Sequence, residues 1–327
     1  MPRLYVTGGR QRPSSLLTRD EWNAYEKAVL LELDTDSGEV RTVLAYESPA
    51  ERTPERPSHV FKAASWDGDH LLLCTQTEVL AFDPATGTVV DTLSHPWFND
   101  LHHVARLDGR LHVVSTGLDA VLVLEGSEVG QLHSVTGEDP WLRFDRERDY
   151  RRVATTKPHR CHPNYVFQVG EERFATRFEQ RDAVPLGGGE PLPRIHDDPI
   201  HDGVYVDGVV WFTVVSGHVV ALEVATRTLT RFDLDAVGNE RGHPLGWCRG
   251  LHRHGSTTYL AFSRLRPTKL KQNLSWLRKP LGKAPEPRPA RVVAYALEEG
   301  RKLQGWDLEQ HGISSIFSVL PATPPGP

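Results

Sequence analysis

At 327 residues, with 39% apolar and 25% charged residues and a formal net charge of −5, the chain has an ordinary soluble balance, which excludes a disordered or membrane-embedded chain. The opening Met1-Pro2-Arg3-Leu4-Tyr5-Val6 has no signal-like apolar stretch and no later run approaches the roughly 18 apolar residues of a spanning helix, so a cytoplasmic protein without membrane contact is expected. Three cysteines, Cys74, Cys161 and Cys248, share no CxxC spacing, which argues against a disulfide framework and a thiolate zinc site.

In chain order, Leu4–Thr7 reads as a short strand, followed by a polar insertion with a short helix expected near Thr18-Arg19-Asp20-Glu21. Lys27–Leu33 and Val40–Tyr46 then read as a hairpin around Asp36-Ser37-Gly38. From His59 the pattern is regular. Apolar alternation bounded by Asp and Gly turns recurs in Phe61–Leu93, Val104–Leu132 and Gly203–Phe232, each unit giving four strands at a spacing near 40 residues. Two units are irregular: 162–195 breaks its outer half with Gly187-Gly188-Gly189 and Pro185, Pro191 and Pro193, and 248–307 is split by an insertion. The last strand, within Ile313–Leu320, has no partner after it and would complete the sheet begun at the N-terminus. The expectation is all-β: residues 1–327 form one β-propeller of six four-stranded blades, closed by pairing of the N- and C-terminal strands, with five blades as the alternative.

This four-strand Asp-Gly repeat resembles the six-bladed propeller group that includes strictosidine-synthase-like, NHL-repeat and gluconolactonase-like proteins. The resemblance implies a site at the top of the axis, which lactonase-like members fill with calcium held by Glu, Asn and Asp. Here the corresponding positions favour histidine. In site chemistry the chain looks closer to propeller lyases and carotenoid-cleaving oxygenases, which hold a metal with axial histidines.

Three inner strands begin with histidine: Leu101-His102-His103-Val104, His162-Pro163-Asn164-Tyr165 and His201-Asp202-Gly203-Val204. Counted back from Gly109, Gly170 and Gly208, His103 (or its neighbour His102), His162 and His201 lie six, eight and seven residues upstream, which puts three imidazoles at the entry of inner strands beside the channel. Three imidazoles with an open position suit a catalytic divalent transition metal, Fe(II) in preference to Mn, Cu or Zn, with His59, His252, Asp202 or Asn164 as additions. The competing view is that 16 histidines place several at strand starts by chance, bonded to loop carbonyls. Asp202 would act catalytically or behind a ligand, and Arg249 would bind a carboxylate or a developing negative charge.

The charge is uneven. Residues 264–291 hold nine Lys or Arg and one acid, about +8, against about −13 for the remainder. Leu270, Leu274, Trp276 and Leu277 suggest a short amphipathic helix there, serving as a lid or as a docking surface for an acidic protein, such as a carrier presenting a tethered substrate. Nucleic acid is not expected, because the rest of the chain would repel its backbone. No GxGxxG, Walker, GxSxG or HExxH motif appears. The leading expectation is a metal-dependent oxidoreductase, possible substrates being a small molecule or a carrier-tethered group. The alternatives are a metal-dependent lyase, hydrolase or isomerase, or a non-catalytic propeller that binds a protein or carbohydrate.

Overall fold

Every repeat unit carries apolar residues on both faces of its middle strands, as in Val29-Leu30-Leu31 and Leu71-Leu72-Leu73, and such sheets must be covered on both sides. The computed structural model, which describes residues 2–13, 24–238, 244–265 and 288–324, meets that demand with a ring of six antiparallel sheets, a six-bladed β-propeller. Blade one contains β1 (Arg3–Gln11), β2 (Tyr25–Asp34) and β3 (Val40–Tyr46). Blade two is β4 (Ala64–Asp67), β5 (His70–Cys74), β6 (Val79–Asp83) and β7 (Thr88–Leu93). Blade three is β8 (Leu101–Leu107), β9 (Arg110–Ser115), β10 (Ala120–Glu125) and β11 (Glu128–Ser134). Blade four has three strands, β12 (Pro163–Val169), β13 (Glu172–Arg177) and β14 (Asp182–Pro185). Blade five is β15 (Val204–Val206), β16 (Val209–Val214), β17 (His218–Glu223) and β18 (Thr228–Asp233). Blade six is β19 (Trp247–His254), β20 (Thr257–Ser263), β21 (Arg291–Ala296) and β22 (Arg301–Asp307).

The last strand, β23 (Ser315–Pro321), pairs with β1, with Val319 opposite Val6, so blade one is completed by both ends of the chain. That full sheet removes the five-bladed alternative. In blade four the Gly and Pro residues of the outer half break the ladder as their sequence implies. Only isolated bonds hold that edge, among them Leu192 N donating to Ala183 O at 2.8 Å and Ile195 N to Arg181 O at 2.9 Å.

The core is divided among the six interfaces between blades. Leu30 and Tyr5 meet Phe61 and Leu73 between blades one and two, and Val114 and Val121 meet Val166 and Ala175 between three and four. Phe167 and Phe174 meet Val210 and Phe212 between four and five, and Val6 and Leu31 meet Tyr259 and Val292 where the ring closes. This packing leaves the axial ends of the inner strands free to carry polar side chains.

Those axial ends are bulged. The register skips His102 between Leu101 and His103, skips residues between Pro163 and Val166, skips Gly250 between Arg249 and Leu251, and skips Phe317 between Ser318 and Ile316. A bulge turns a side chain away from the face that strict alternation assigns it. At Gly250 a Cβ would lie 3.0 Å from the Ser318 backbone carbon, and its φ of +72° is left-handed, so blades six and one approach this closely only at glycine.

The expected helix near Thr18–Glu21 and most of the basic insertion, residues 266–287, lie outside the described residues. Among the described residues no helix is long and apolar enough to cross a membrane.

Candidate axial histidine site

One position at or just ahead of the axial end of each inner strand looks onto the axis. It lies six residues upstream of the first residue of the two-residue turn that follows, namely Gly68, Asp108, Gly170, Asp207 and Gly255. Its occupants are Lys62, His102, His201 and Arg249 in blades two, three, five and six, and by the same count Asn164 in blade four. Phe317, the bulged residue of β23, takes the place in blade one. His102 has its ring centroid 6.1 Å from that of His201 and 6.4 Å from that of Phe317, while Lys62 Nζ and the Arg249 guanidinium lie 4.7 and 4.5 Å from the Phe317 centroid. His162 precedes β12 rather than occupying the ring position, and reaches in so that its centroid is 5.1 Å from that of His102.

The bonds behind these rings fix their tautomers. His102 Nδ1 is 2.9 Å from the Asp100 backbone oxygen, which can only accept, and 2.8 Å from Thr116 Oγ1, whose own hydrogen goes to Pro163 O. Nδ1 of His102 is therefore the donor, and Nε2 carries the free lone pair. His201 Nδ1 donates to Asp202 Oδ1 at 2.8 Å, with the same result. For His162 the chain is one step longer: Thr156 gives its hydroxyl hydrogen to Gly117 O at 2.6 Å and so accepts from His159 Nε2 at 3.4 Å. His159 Nδ1 is then bare and accepts from His162 Nδ1 at 3.2 Å, again leaving Nε2 of His162 free. Burial pushes His102, His162 and His201 below the usual histidine range, and in His201 it does so against the neighbouring Asp202. Burial therefore favours the neutral form of all three.

Asp100 sits beside this group, 3.2 Å from Lys62 Nζ. Burial works to raise its carboxyl, but Lys62 leads the charges that outweigh burial and hold it well below the usual carboxylate range. Asp119 fixes the segment that delivers His162. Its Oδ1 accepts from Cys161 N at 3.0 Å and His162 N at 2.8 Å, and its Oδ2 from Arg160 N at 2.8 Å and Arg143 Nη1 at 3.0 Å. That grip holds His162 at φ 55°, a left-handed conformation uncommon for residues other than glycine.

Of the candidates drawn from sequence, the structure brings together His162, His201, Asp202 and Arg249, and places His102 rather than His103 at the axis. The bulge at His102 is the reason. His103 points instead between blades three and four, stacked on Tyr165 at 3.7 Å, where its Nδ1 accepts from Val166 N at 3.1 Å. Glycine is the second turn residue in blades three and five but the first in blade four, so counting from glycine slides the register. His59 lies away from the ring, accepting from Ser48 N at 3.1 Å, and His252 stacks on Tyr259 at 6.3 Å. Asp202 acts from behind His201. Among the described residues no three His, Cys, Asp or Glu side chains are grouped closely enough to hold a metal ion as they stand. Sequence reading does not single out Lys62, Phe317, Thr116 or Asp119; the turn-based count finds the first, and only the fold finds the others.

No protein-family model matches the chain, and no curated protein matches it. Among solved structures it is similar to a chain of the nidogen/laminin complex, at 10% identity over 97% of each chain with a TM-score of 0.57. It is also similar to the WD40 β-propeller domain of Doa1, at 10% identity over 96% of this chain and 82% of that one, with a TM-score of 0.51. At such identities the likeness is one of fold, and it defines the chain as a β-propeller.

Proposed function

We propose that the protein is a metal-dependent enzyme whose divalent transition metal is held on the propeller axis by His102, His162 and His201. The observation that carries this reading is the shared tautomer: three neutral imidazoles, each donating backward from Nδ1, each with its Nε2 lone pair free. Imidazoles in that form suit first-row metals, and the acceptors behind them are the partners that orient metal-bound histidines. Such a metal supplies either dioxygen activation, with iron, or polarisation of a carbonyl or water, with zinc or manganese. The protein's own groups add orientation: Lys62 and Arg249 put positive charge beside Phe317, which suits a substrate with a carboxylate, and Asp202 keeps the His201 ring in place.

Metal content of the purified protein tests this, by plasma mass spectrometry before and after anaerobic reconstitution, for wild type and for His102→Ala, His162→Ala and His201→Ala. Near-stoichiometric metal that falls in all three variants is the expected result. A wild type that takes up none of Fe, Mn, Co, Cu or Zn overturns it.

A second reading, a propeller that binds a protein without chemistry, is favoured by one surface feature. Leu142 is 81% exposed next to Trp141, whose ring lies 4.6 Å from that of Trp97, with the Arg146 guanidinium 5.6 Å from Trp97. An exposed leucine beside a half-buried tryptophan pair and an arginine is the composition of a protein-binding patch.

A further inference from the structure

Asn164 is the ring residue whose side chain lacks any bond. It is 0% exposed, yet both its carboxamide atoms, Oδ1 and Nδ2, are without a hydrogen-bond partner. An amide buried in this way costs about 1–3 kcal/mol, and a native protein that keeps one has a use for it. Around it, Lys62 bonds Asp100, His102 bonds Asp100 and Thr116, and His201 bonds Asp202. The backbone departs from the ladder at Asn164: the β12 register is broken between Pro163 and Val166, and Tyr165 N donates to the side-chain Oγ1 of Thr176 on β13 instead of to a backbone carbonyl.

Its place in the ring says what the amide is for. His102 comes from blade three and His201 from blade five, and their centroids, at 6.1 Å, are 1 Å further apart than the 5.1 Å between His102 and His162. Asn164 belongs to blade four, between them. Its carbonyl oxygen is a neutral donor of a kind that first-row divalent metals accept alongside imidazole. We infer that Asn164 Oδ1 is a fourth ligand to the axial metal, closing the gap between His102 and His201. This inference rests on the metal-dependent reading above. An oxygen donor in the set points to Fe(II), Mn(II), Co(II) or Zn(II) and away from Cu(I), which prefers sulfur.

Cobalt(II) is the probe, titrated into the metal-free full-length protein and followed by calorimetry and by its visible absorption. Asn164→Leu, which keeps the volume and removes both polar atoms, is expected to weaken Co(II) binding by at least about tenfold and to change the spectrum. The metal-free variant is expected to melt no lower than wild type, because an unpartnered amide has been replaced by a hydrocarbon. Asn164→Asp keeps an oxygen at the same place and is expected to bind Co(II) at least as tightly as wild type. Wild-type affinity and spectrum in Asn164→Leu, or loss of binding in Asn164→Asp, overturns the role of Asn164 and leaves the three-histidine site standing. A lower melting point with unchanged affinity assigns Asn164 to structure instead. Failure of wild type itself to bind Co(II) removes both readings.

Discussion

Blades two and four are built to different rules. Blade two has four strands with one register shift, between Ala81 and Phe82, is entered after residues 47–63, and sends one side chain, Lys62, to the axis. Blade four has three strands, a loosely held outer edge, and a long entry, residues 135–162, between β11 and β12. From that irregular unit come His159, His162 and Asn164, and the buried carboxylate of Asp119 clamps its entry. The other blades each send one side chain to the axis, while blade four adds His162 from ahead of β12, because a side chain that must reach the axis at an unusual angle needs backbone released from ladder pairing.

The sharpest way to break this contrast is Asp119→Ala. Removing the carboxylate takes the acceptor from three backbone donors, one of them buried, and from Arg143 Nη1, while Arg143 Nη2 keeps Thr156 O and Pro158 O, so a loss of about 3 kcal/mol in urea unfolding is expected, together with weaker Co(II) binding. Retained metal affinity at wild-type stability would show that the clamp does not set His162. A smaller effect separates the two adjacent histidines of blade three. His103→Ala removes a ring stacked on Tyr165 and the acceptor for Val166 N, so about 1–3 kcal/mol of stability should go while Co(II) affinity stays. His102→Ala should do the reverse, lowering metal affinity at little cost in stability. Equal behaviour of the two variants would return the register to an open question.

The smallest expected effect lies in blade six, away from the site. Burial, followed by the neighbouring His254, pushes His252 down to about 4, whereas an unfolded histidine titrates near 6.5. A depressed histidine stabilises the folded state only while it is neutral, so its contribution is complete above pH 6.5 and is lost as pH falls toward 4, at up to about 1.4 kcal/mol per pH unit. Urea unfolding at pH 7, 5.5 and 4.5 should therefore show a shallower pH dependence in His252→Phe than in wild type. Identical slopes would mean that His252 titrates normally in the folded protein.

Much of the architecture was legible in the residues. Turn glycines and aspartates at regular spacing, with apolar runs between them, specify hairpins, and a final strand without a partner specifies closure onto the N-terminus. The basic run of 264–291 is equally plain in the chain, but most of it lies outside the described residues. Part of the site was legible too, since His162, His201, Asp202 and Arg249 stand at strand entries in the sequence itself.

Composition and periodicity determined the fold class and the strands on which polar residues meet the channel, because these follow from local propensity and from the need to cover both faces of each sheet, while the pairing of β23 with β1 settled six blades over five. Tertiary structure alone decided that His102 and not His103 turns inward, that Asp119 holds His162, and that Asn164 is buried without a partner. A bulge shifts the facing of a strand by one residue, and the partners that reveal a tautomer come from segments distant in sequence; neither is written in the local pattern.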